Sequence, residues 1–164
     1  AALLVTVNPA IFPQKGPLGG MYWQREIEEA AYRLTGSYRA PAQRAADFLA
    51  GKPSEGPGEV TPTYAPGVVW TDLHRCLPDC ITGPLAQALP ELDKKLHGFA
   101  DPDAVLTAPE TRSSSPVRIP RDETRQSAIR GLYPTGEGAG YAGGIMSAAV
   151  DGILTAEAIL EDRE

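Results

Sequence analysis

Residues 131–151, Gly-Leu-Tyr-Pro-Thr-Gly-Glu-Gly-Ala-Gly-Tyr-Ala-Gly-Gly-Ile-Met-Ser-Ala-Ala-Val-Asp, hold the groups best suited to ligand chemistry. Gly136, Gly138, Gly140, Gly143 and Gly144 stand between a short apolar run, Leu132-Tyr133, and an Ala-rich segment, Ile145 to Leu160, with helical periodicity. Glycines in that place let backbone N–H groups approach a ligand without a Cβ in the way. The N-terminus of the following helix adds orphan donors and a partial positive charge, which suit phosphate or an electron-rich carbonyl. Glu137 adds an acceptor suited to a sugar or ribityl hydroxyl. These residues point to a nucleotide- or flavin-binding protein. A purely architectural role, a tight turn with close helix–sheet packing, fits the same glycines. The spacing Gly138-Ala-Gly-Tyr-Ala-Gly143 matches the dinucleotide fingerprint only loosely, and that fingerprint opens a βαβ unit with an acidic residue about 20 positions on. No second strand is expected after the helix that starts at Ile145, so an adenine-nucleotide site is not the expected reading.

Two other clusters carry reactive side chains. Arg112, Ser113, Ser114 and Ser115 form a compact polar group, and a planar guanidinium with serine hydroxyls suits carbonyls, carboxylates or other anions; a solvated serine-rich loop is the alternative. Cys76 and Cys80 flank Leu-Pro-Asp near His74. A zinc site needs three or four protein ligands, and His97 is the one further nitrogen donor of this type. The C-x3-C spacing is not that of a redox pair either, so ordinary reduced thiols and no metal are expected. His74 and His97 are expected at the surface or in turns, and Arg118, Arg121 and Arg125 as surface charges. No histidine, cysteine or carboxylate pair stands out as an acid–base catalyst, so no catalytic residue is assigned.

The elements that must position these groups follow from periodicity and punctuation. Ala2–Val7 reads as a strand ended by Asn8-Pro9. Met21–Leu34 reads as a helix, with Trp23, Ile27, Ala30, Ala31 and Leu34 at three- and four-residue steps and Gly36 as its stop; Trp23, Tyr22 and Tyr32 are expected as core or interface anchors. Pro41–Leu49 reads as a second helix, opened by proline and closed by Gly51. Lys52–Gly67 carries seven Gly or Pro in sixteen residues and reads as an exposed loop. A third helix is expected over Pro84–Leu96, interrupted near Pro90. Val105–Thr111 and Val117–Ile119 read as strands joined by the Ser113–Pro116 turn. The fold class that results is α+β, helix-rich with a small mixed sheet.

The 164 residues suffice for one domain with a real core, or one domain with an appended piece. Hydrophobic content of 42% and charged content of 22% are ordinary for a globular chain, and 17 glycines with 16 prolines imply many turns. A net charge of −6 argues against a nucleic-acid partner, which would need a basic excess. No run reaches transmembrane length, and Ala1–Val7 lacks the features of a signal peptide, so no membrane partner and a cytoplasmic location are expected.

The runs Glu110-Thr-Arg-Ser-Ser-Ser-Pro-Val-Arg118, Gly131–Gly144 and Ser147-Ala-Ala-Val-Asp-Gly152 resemble the C-terminal part of the NAD(FAD)-utilizing, FAD-dependent dehydrogenase family of flavoproteins. Gly20-Met-Tyr-Trp-Gln-Arg-Glu-Ile-Glu-Glu29 and Tyr38-Arg-Ala-Pro-Ala-Gln43 resemble its middle region, so the likeness runs from about residue 16 to about residue 160. The resemblance implies a larger oxidoreductase whose FAD-binding fold is split by an inserted domain. Residues 1–105 would then be the inserted, substrate-side domain and 106–164 the C-terminal part of the FAD-binding domain. The family's N-terminal ADP-binding glycine motif has no counterpart in this sequence, which implies a fragment whose partner is the missing N-terminal part of the same polypeptide. It implies FAD in that parent rather than in the fragment, and a nicotinamide dinucleotide as a second partner. Gly136, Glu137 and Gly138 would meet the ribityl or pyrophosphate part of the cofactor. The N–H groups of Ala142, Gly143, Gly144 and Ile145 would meet the flavin's pyrimidine edge, Tyr141 would belong to the same cofactor-binding set, and Arg112, Ser113, Ser114 and Ser115 would face flavin or substrate. A non-catalytic binding or interaction module with an architectural glycine turn is the alternative.

Overall fold

The computed structural model describes residues 1–161. Among them are four α-helices and one three-stranded mixed sheet: α1 (Gly19–Thr35), β1 (Ala40–Arg44), α2 (Ala45–Leu49), β2 (Val68–Trp70), α3 (Asp79–Asp93), β3 (Val105–Thr107) and α4 (Ile145–Glu161), with single 3-10 turns at Pro9–Ile11 and Leu73–Arg75. The fold is the expected helix-rich α+β class. The chain divides into two compact units, one of Ala1–Ile11 with Gln24–Thr111, the other of Phe12–Trp23 with Arg112–Glu164.

In the first unit the sheet order is β2-β1-β3, with β1 parallel to β2 (Ala40↔Val68, Ala42↔Trp70) and antiparallel to β3 (Ala42↔Thr107, Arg44↔Val105). The core joins Ala31 of α1, Phe48 of α2, Leu73, Cys76 and Leu89 of α3. In α1 the buried Ile27 and Ala31 lie one turn apart, as the periodicity requires, and Gly36 ends the helix at φ +63° with its N–H donating to the Tyr32 carbonyl at 2.8 Å.

The expected helix over Pro41–Leu49 is a correction: only Ala45–Leu49 is helical, and Ala40–Arg44 is the central strand. Alanine's helix preference is a few tenths of a kcal/mol, while pairing on both edges satisfies this strand's backbone, so tertiary context decides. Gln43, fully buried, explains the choice further. Its side-chain NH2 donates to the Lys52 carbonyl at 2.7 Å, and its oxygen accepts from the Leu73 N–H at 2.9 Å. Only a strand's register aims it at both.

Helix α3 starts at Asp79, earlier than expected, and runs through Pro84 and Pro90 without interruption. Burial of Thr82 and Leu89 along its core-facing side offsets the backbone hydrogen bonds that the prolines remove. Ala2–Val7, Val117–Ile119 and Leu132–Tyr133 are not strands, and the strand expected over Val105–Thr111 stops at Thr107. None of the three unpaired runs meets a partner ladder. Leu132 makes only local turn bonds, to Ser127 and Ile129, and Ile119 a single bond from its N–H to the Ala139 carbonyl at 3.2 Å.

In the second unit the Phe12 and Trp23 rings lie 5.5 Å apart. Gly20 sits so tightly that a Cβ would stand 3.1 Å from both the Phe12 ring and Pro116. Residues 112–144 run without regular secondary structure to α4, which spans the helix expected there.

Candidate functional site

The glycine-rich stretch is a closed turn ahead of a helix. The Gly140 N–H donates to the Glu137 carbonyl at 2.9 Å and the Tyr141 N–H to the Gly136 carbonyl at 3.0 Å. Gly136 and Gly140 have φ of +71° and +83°, values that side chains with a Cβ rarely adopt. Gly140 is required twice over, because a Cβ there would lie 2.6 Å from the Val117 carbonyl oxygen. These two glycines are architecture.

Gly138, Gly143 and Gly144 differ. None has a positive φ, and an added Cβ would meet nothing within 4 Å at Gly138 and Gly143 and only the Ser147 hydroxyl, at 3.8 Å, at Gly144. Nothing in their own surroundings asks for glycine. Directly after them α4 begins, with Ile145 and Met146 90% and 75% exposed. The first helical bond into its leading turn comes from the Ala148 N–H to the Gly144 carbonyl at 2.9 Å, and the Ser147 hydroxyl donates to the same oxygen. The N–H groups of Ile145, Met146 and Ser147 meet no acceptor among the described residues. Such a surface offers close backbone approach and several aligned donors to one electron-rich oxygen. Glu137 is half-buried, and its carboxylate takes no hydrogen bond from the described residues.

Two locks hold the turn. On one side Tyr141 is clasped by residues 118–121: its hydroxyl donates to the Ile119 carbonyl and accepts from the Arg121 N–H, both at 3.0 Å. The guanidinium carbons of Arg118 and Arg121 lie 4.2 and 3.6 Å from its ring centroid. On the other side is Asp151, in the second turn of α4. Its carboxylate accepts from Arg121 at 2.9 and 2.7 Å, Arg125 at 2.7 Å, the Thr135 hydroxyl at 2.9 Å and the Gly136 N–H at 2.8 Å. Arg121 also donates to the Pro134 carbonyl at 2.8 Å, and the Thr155 hydroxyl donates to the Asp151 carbonyl at 2.8 Å. Arg121 hydrogen bonding, against the opposing effect of burial, holds the Asp151 carboxyl far below the usual carboxylate range, with Gly136, Arg125 and Thr135 adding to it. The Asp151 carboxylate in turn raises the Arg121 guanidinium.

Arg121 and Arg125 are therefore not the surface charges expected of them; their side chains are 10% and 21% exposed. Arg118 is exposed. The Asp151–Thr155 pair had a signal in the sequence, an acid with a hydroxyl one turn later, within the apolar run 145–154 and its continuation. Of the serine cluster, Ser113 and Ser114 are exposed with Arg112, whereas the Ser115 hydroxyl reaches the Val117 carbonyl at 2.8 Å and the Gly138 carbonyl at 3.1 Å. Ser115 thus joins the polar loop to the glycine turn.

The thiols lie in the first unit, in a different setting. Cys76 and Cys80 are both free, one buried and one exposed. Burial, followed by the Asp72 charge, pushes the Cys76 thiol up to about 11. His74 bonds Asp72 at 2.8 Å through Nδ1 and stacks on Phe48 at 5.0 Å. Among the described residues no group of three or more His, Cys, Asp or Glu is placed to hold a metal ion, and no helix is long and apolar enough to cross a membrane.

Comparison with known proteins adds to this geometry. A protein of Clostridium beijerinckii (strain ATCC 51743 / NCIMB 8052), described as "Uncharacterized protein", is 48% identical over 163 residues, covering 98% of this chain. This chain spans 31% of that relative's length. The family model "FAD-dependent protein, C-terminal domain-like" matches residues 1–113, and so ends before the glycine turn. With that match over more than half of its length, the chain belongs to the FAD-dependent protein, C-terminal domain-like family.

Proposed function

We propose that this chain is the flavin-side portion of an FAD-dependent oxidoreductase of the NAD(FAD)-utilizing dehydrogenase type. The observation that carries the proposal is the set of three glycines, Gly138, Gly143 and Gly144, whose missing side chains serve neither backbone conformation nor packing among the described residues. They border the unsatisfied N–H groups at the start of α4, so a ligand on that surface is the simplest physical reason for them. The family name supplies FAD as the group to test there. The residues fit it: the N–H groups of Ala142–Ile145 suit the carbonyl and nitrogen of the pyrimidine edge, and Glu137 suits a ribityl hydroxyl. Gly136 shapes the turn and Gly138 leaves room beside it, which suits contact with the ribityl or pyrophosphate chain. Arg112, Ser113 and Ser114 would face flavin or substrate, with Ser115 tying their loop to the turn. Bound FAD would supply the electron transfer. The chain's own residues orient it and, through the helix N-terminus, favour negative charge on its pyrimidine ring.

In this proposal residues 1–105 serve the substrate side and 106–164 the FAD-binding side. The remaining polypeptide supplies the adenosine-binding half, and a nicotinamide dinucleotide is the electron donor or acceptor in the cytoplasm. The test uses the complete polypeptide that carries this chain. It should purify yellow, release FAD on denaturation, and lose flavin in Gly143→Val and Gly144→Val while the thermal midpoint stays within a few degrees. Gly152→Ala should keep its flavin, since that site is open and inside the helix. A colourless preparation that also refuses added FAD would overturn the proposal. Equal loss of midpoint in all three variants, with flavin per folded molecule unchanged, would leave the glycines as packing alone.

A further inference from the structure

We propose that Asp151 is the positioning residue of the glycine cradle. It fixes the entry of the turn at Gly136 against α4, so that the turn and the helix N-terminus face one ligand together. The inference rests on the flavin assignment of that surface and deepens it.

Five hydrogen bonds converge on the two carboxylate oxygens of Asp151, from Arg121, Arg125, Thr135 and the Gly136 N–H. The donors come from positions 15 to 30 residues away in sequence, on two separate stretches of loop. With its lone pairs spent on these partners, Asp151 has no capacity left to contact a cofactor directly. Its effect reaches a ligand only through the backbone it holds. That backbone is the critical one: Gly136, whose N–H Asp151 receives, closes the turn by accepting from Tyr141, and Tyr141 leads within three residues to the helix N-terminus.

The side chains of α4 are distributed accordingly. Asp151 and Thr155 are buried, while Met146, Val150, Ile153 and Leu160 are between 50% and 75% exposed. The helix is thus seated on its own unit by charges and hydroxyls. An apolar seat would hold it by non-directional burial and tolerate sliding by a fraction of a turn. A fork from Arg121, a second guanidinium and an amide fix direction and register instead. The arrangement suits a surface whose donors must converge on one atom, since small misplacements of such groups cost much of their effect.

The experiment compares FAD affinity, thermal midpoint and visible circular dichroism of bound flavin in the complete polypeptide and its variants. Asp151→Asn keeps the shape and removes the charge. Its FAD dissociation constant should rise about tenfold to hundredfold, the range found when outer groups that orient metal ligands are removed. Thr155→Val removes the hydroxyl's bonds to the Asp151 carbonyl, Arg125 and Thr135 but none of the five bonds to the carboxylate itself, so it should lower the midpoint but keep the dissociation constant within about twofold. Thr135→Val, removing one donor beside Gly136, is the milder variant should Asp151→Asn fail to fold. It should weaken FAD about threefold and alter the flavin dichroism, a signature that lost stability alone would not move. An unchanged dissociation constant and dichroism per folded molecule in Asp151→Asn, or in Thr135→Val where Asp151→Asn does not fold, would overturn this inference while leaving the flavin assignment standing. A wild-type protein that takes up no FAD would overturn both.

Discussion

Folding changes the chemistry of Asp151 strongly. Hydrogen bonds from Arg121 first, then the Gly136 N–H, Arg125 and Thr135, outweigh burial and hold its carboxyl low. A group depressed in the native state stabilises it fully above its unfolded pKa, about 3.9, and loses that contribution as pH falls from there toward the native value. Asp151→Asn should therefore be less stable than the wild type by about 3–5 kcal/mol at neutral pH, because two guanidinium groups are left facing a neutral amide. The gap should narrow between roughly pH 4 and pH 2. Thermal melts of both proteins across that range check it; parallel pH profiles would show that the knot is not charge-based. Two glycines give a second contrast at this scale. Gly140→Ala should cost about 1–3 kcal/mol, from a positive φ and a Cβ 2.6 Å from a carbonyl oxygen. Gly138→Ala, entering open space, should stay within about 0.5 kcal/mol. If the two melt alike, the turn is not held as described. The glycine cluster could be read from sequence as a possible cradle, but which glycines serve the backbone and which serve the open face depends on φ and on neighbours 20 residues away.

Helices α1 and α4 are the elements that periodicity identified, since each repeats apolar residues at three- and four-residue steps over more than four turns. Periodicity does not say which side faces inward. In α4 the apolar side is exposed and the Asp151–Thr155 side buried, so the usual inference from pattern to burial runs backwards there. Strand β1 was hidden for another reason. Ala-Pro-Ala-Gln-Arg has neither the β-branched residues nor the alternation of a strand, and its identity comes from partners about 28 and 65 residues further on. Gln43 is the residue that betrays it, as a buried amide bridging two loops. Gln43→Leu keeps the volume but leaves the Lys52 carbonyl and the Leu73 N–H without partners. It should destabilise the protein by about 1–3 kcal/mol for each group so stranded. Denaturant unfolding followed by far-ultraviolet dichroism measures this, and an unaltered midpoint would mean that water satisfies both groups.

At the scale of the whole molecule, two compact units share one chain, and Phe12–Trp23 joins residues after Arg112 rather than its sequence neighbours. No composition shift marks that exchange. It follows from contacts such as Gly20 against Phe12 and Pro116, which a linear pattern does not display. The functional assignment has the same non-local character. The family match covers residues 1–113, the cradle lies after it, and the relative is longer than this chain, which spans 31% of it. The donors gathered at the start of α4 would grip only the flavin end of a dinucleotide. Each oriented hydrogen bond adds about 0.5–1.5 kcal/mol, while association itself costs on the order of 4–15 kcal/mol. A handful of donors without an adenosine-binding half therefore leaves little net affinity. The 164-residue chain alone should bind FAD no tighter than the high-micromolar range by calorimetry. Amide shifts in a nuclear magnetic resonance titration should nevertheless concentrate at residues 136–147. The complete polypeptide should retain FAD through gel filtration. Sub-micromolar binding by the short chain would mean that it holds a full site of its own, and shifts scattered away from the glycine turn would move the site elsewhere.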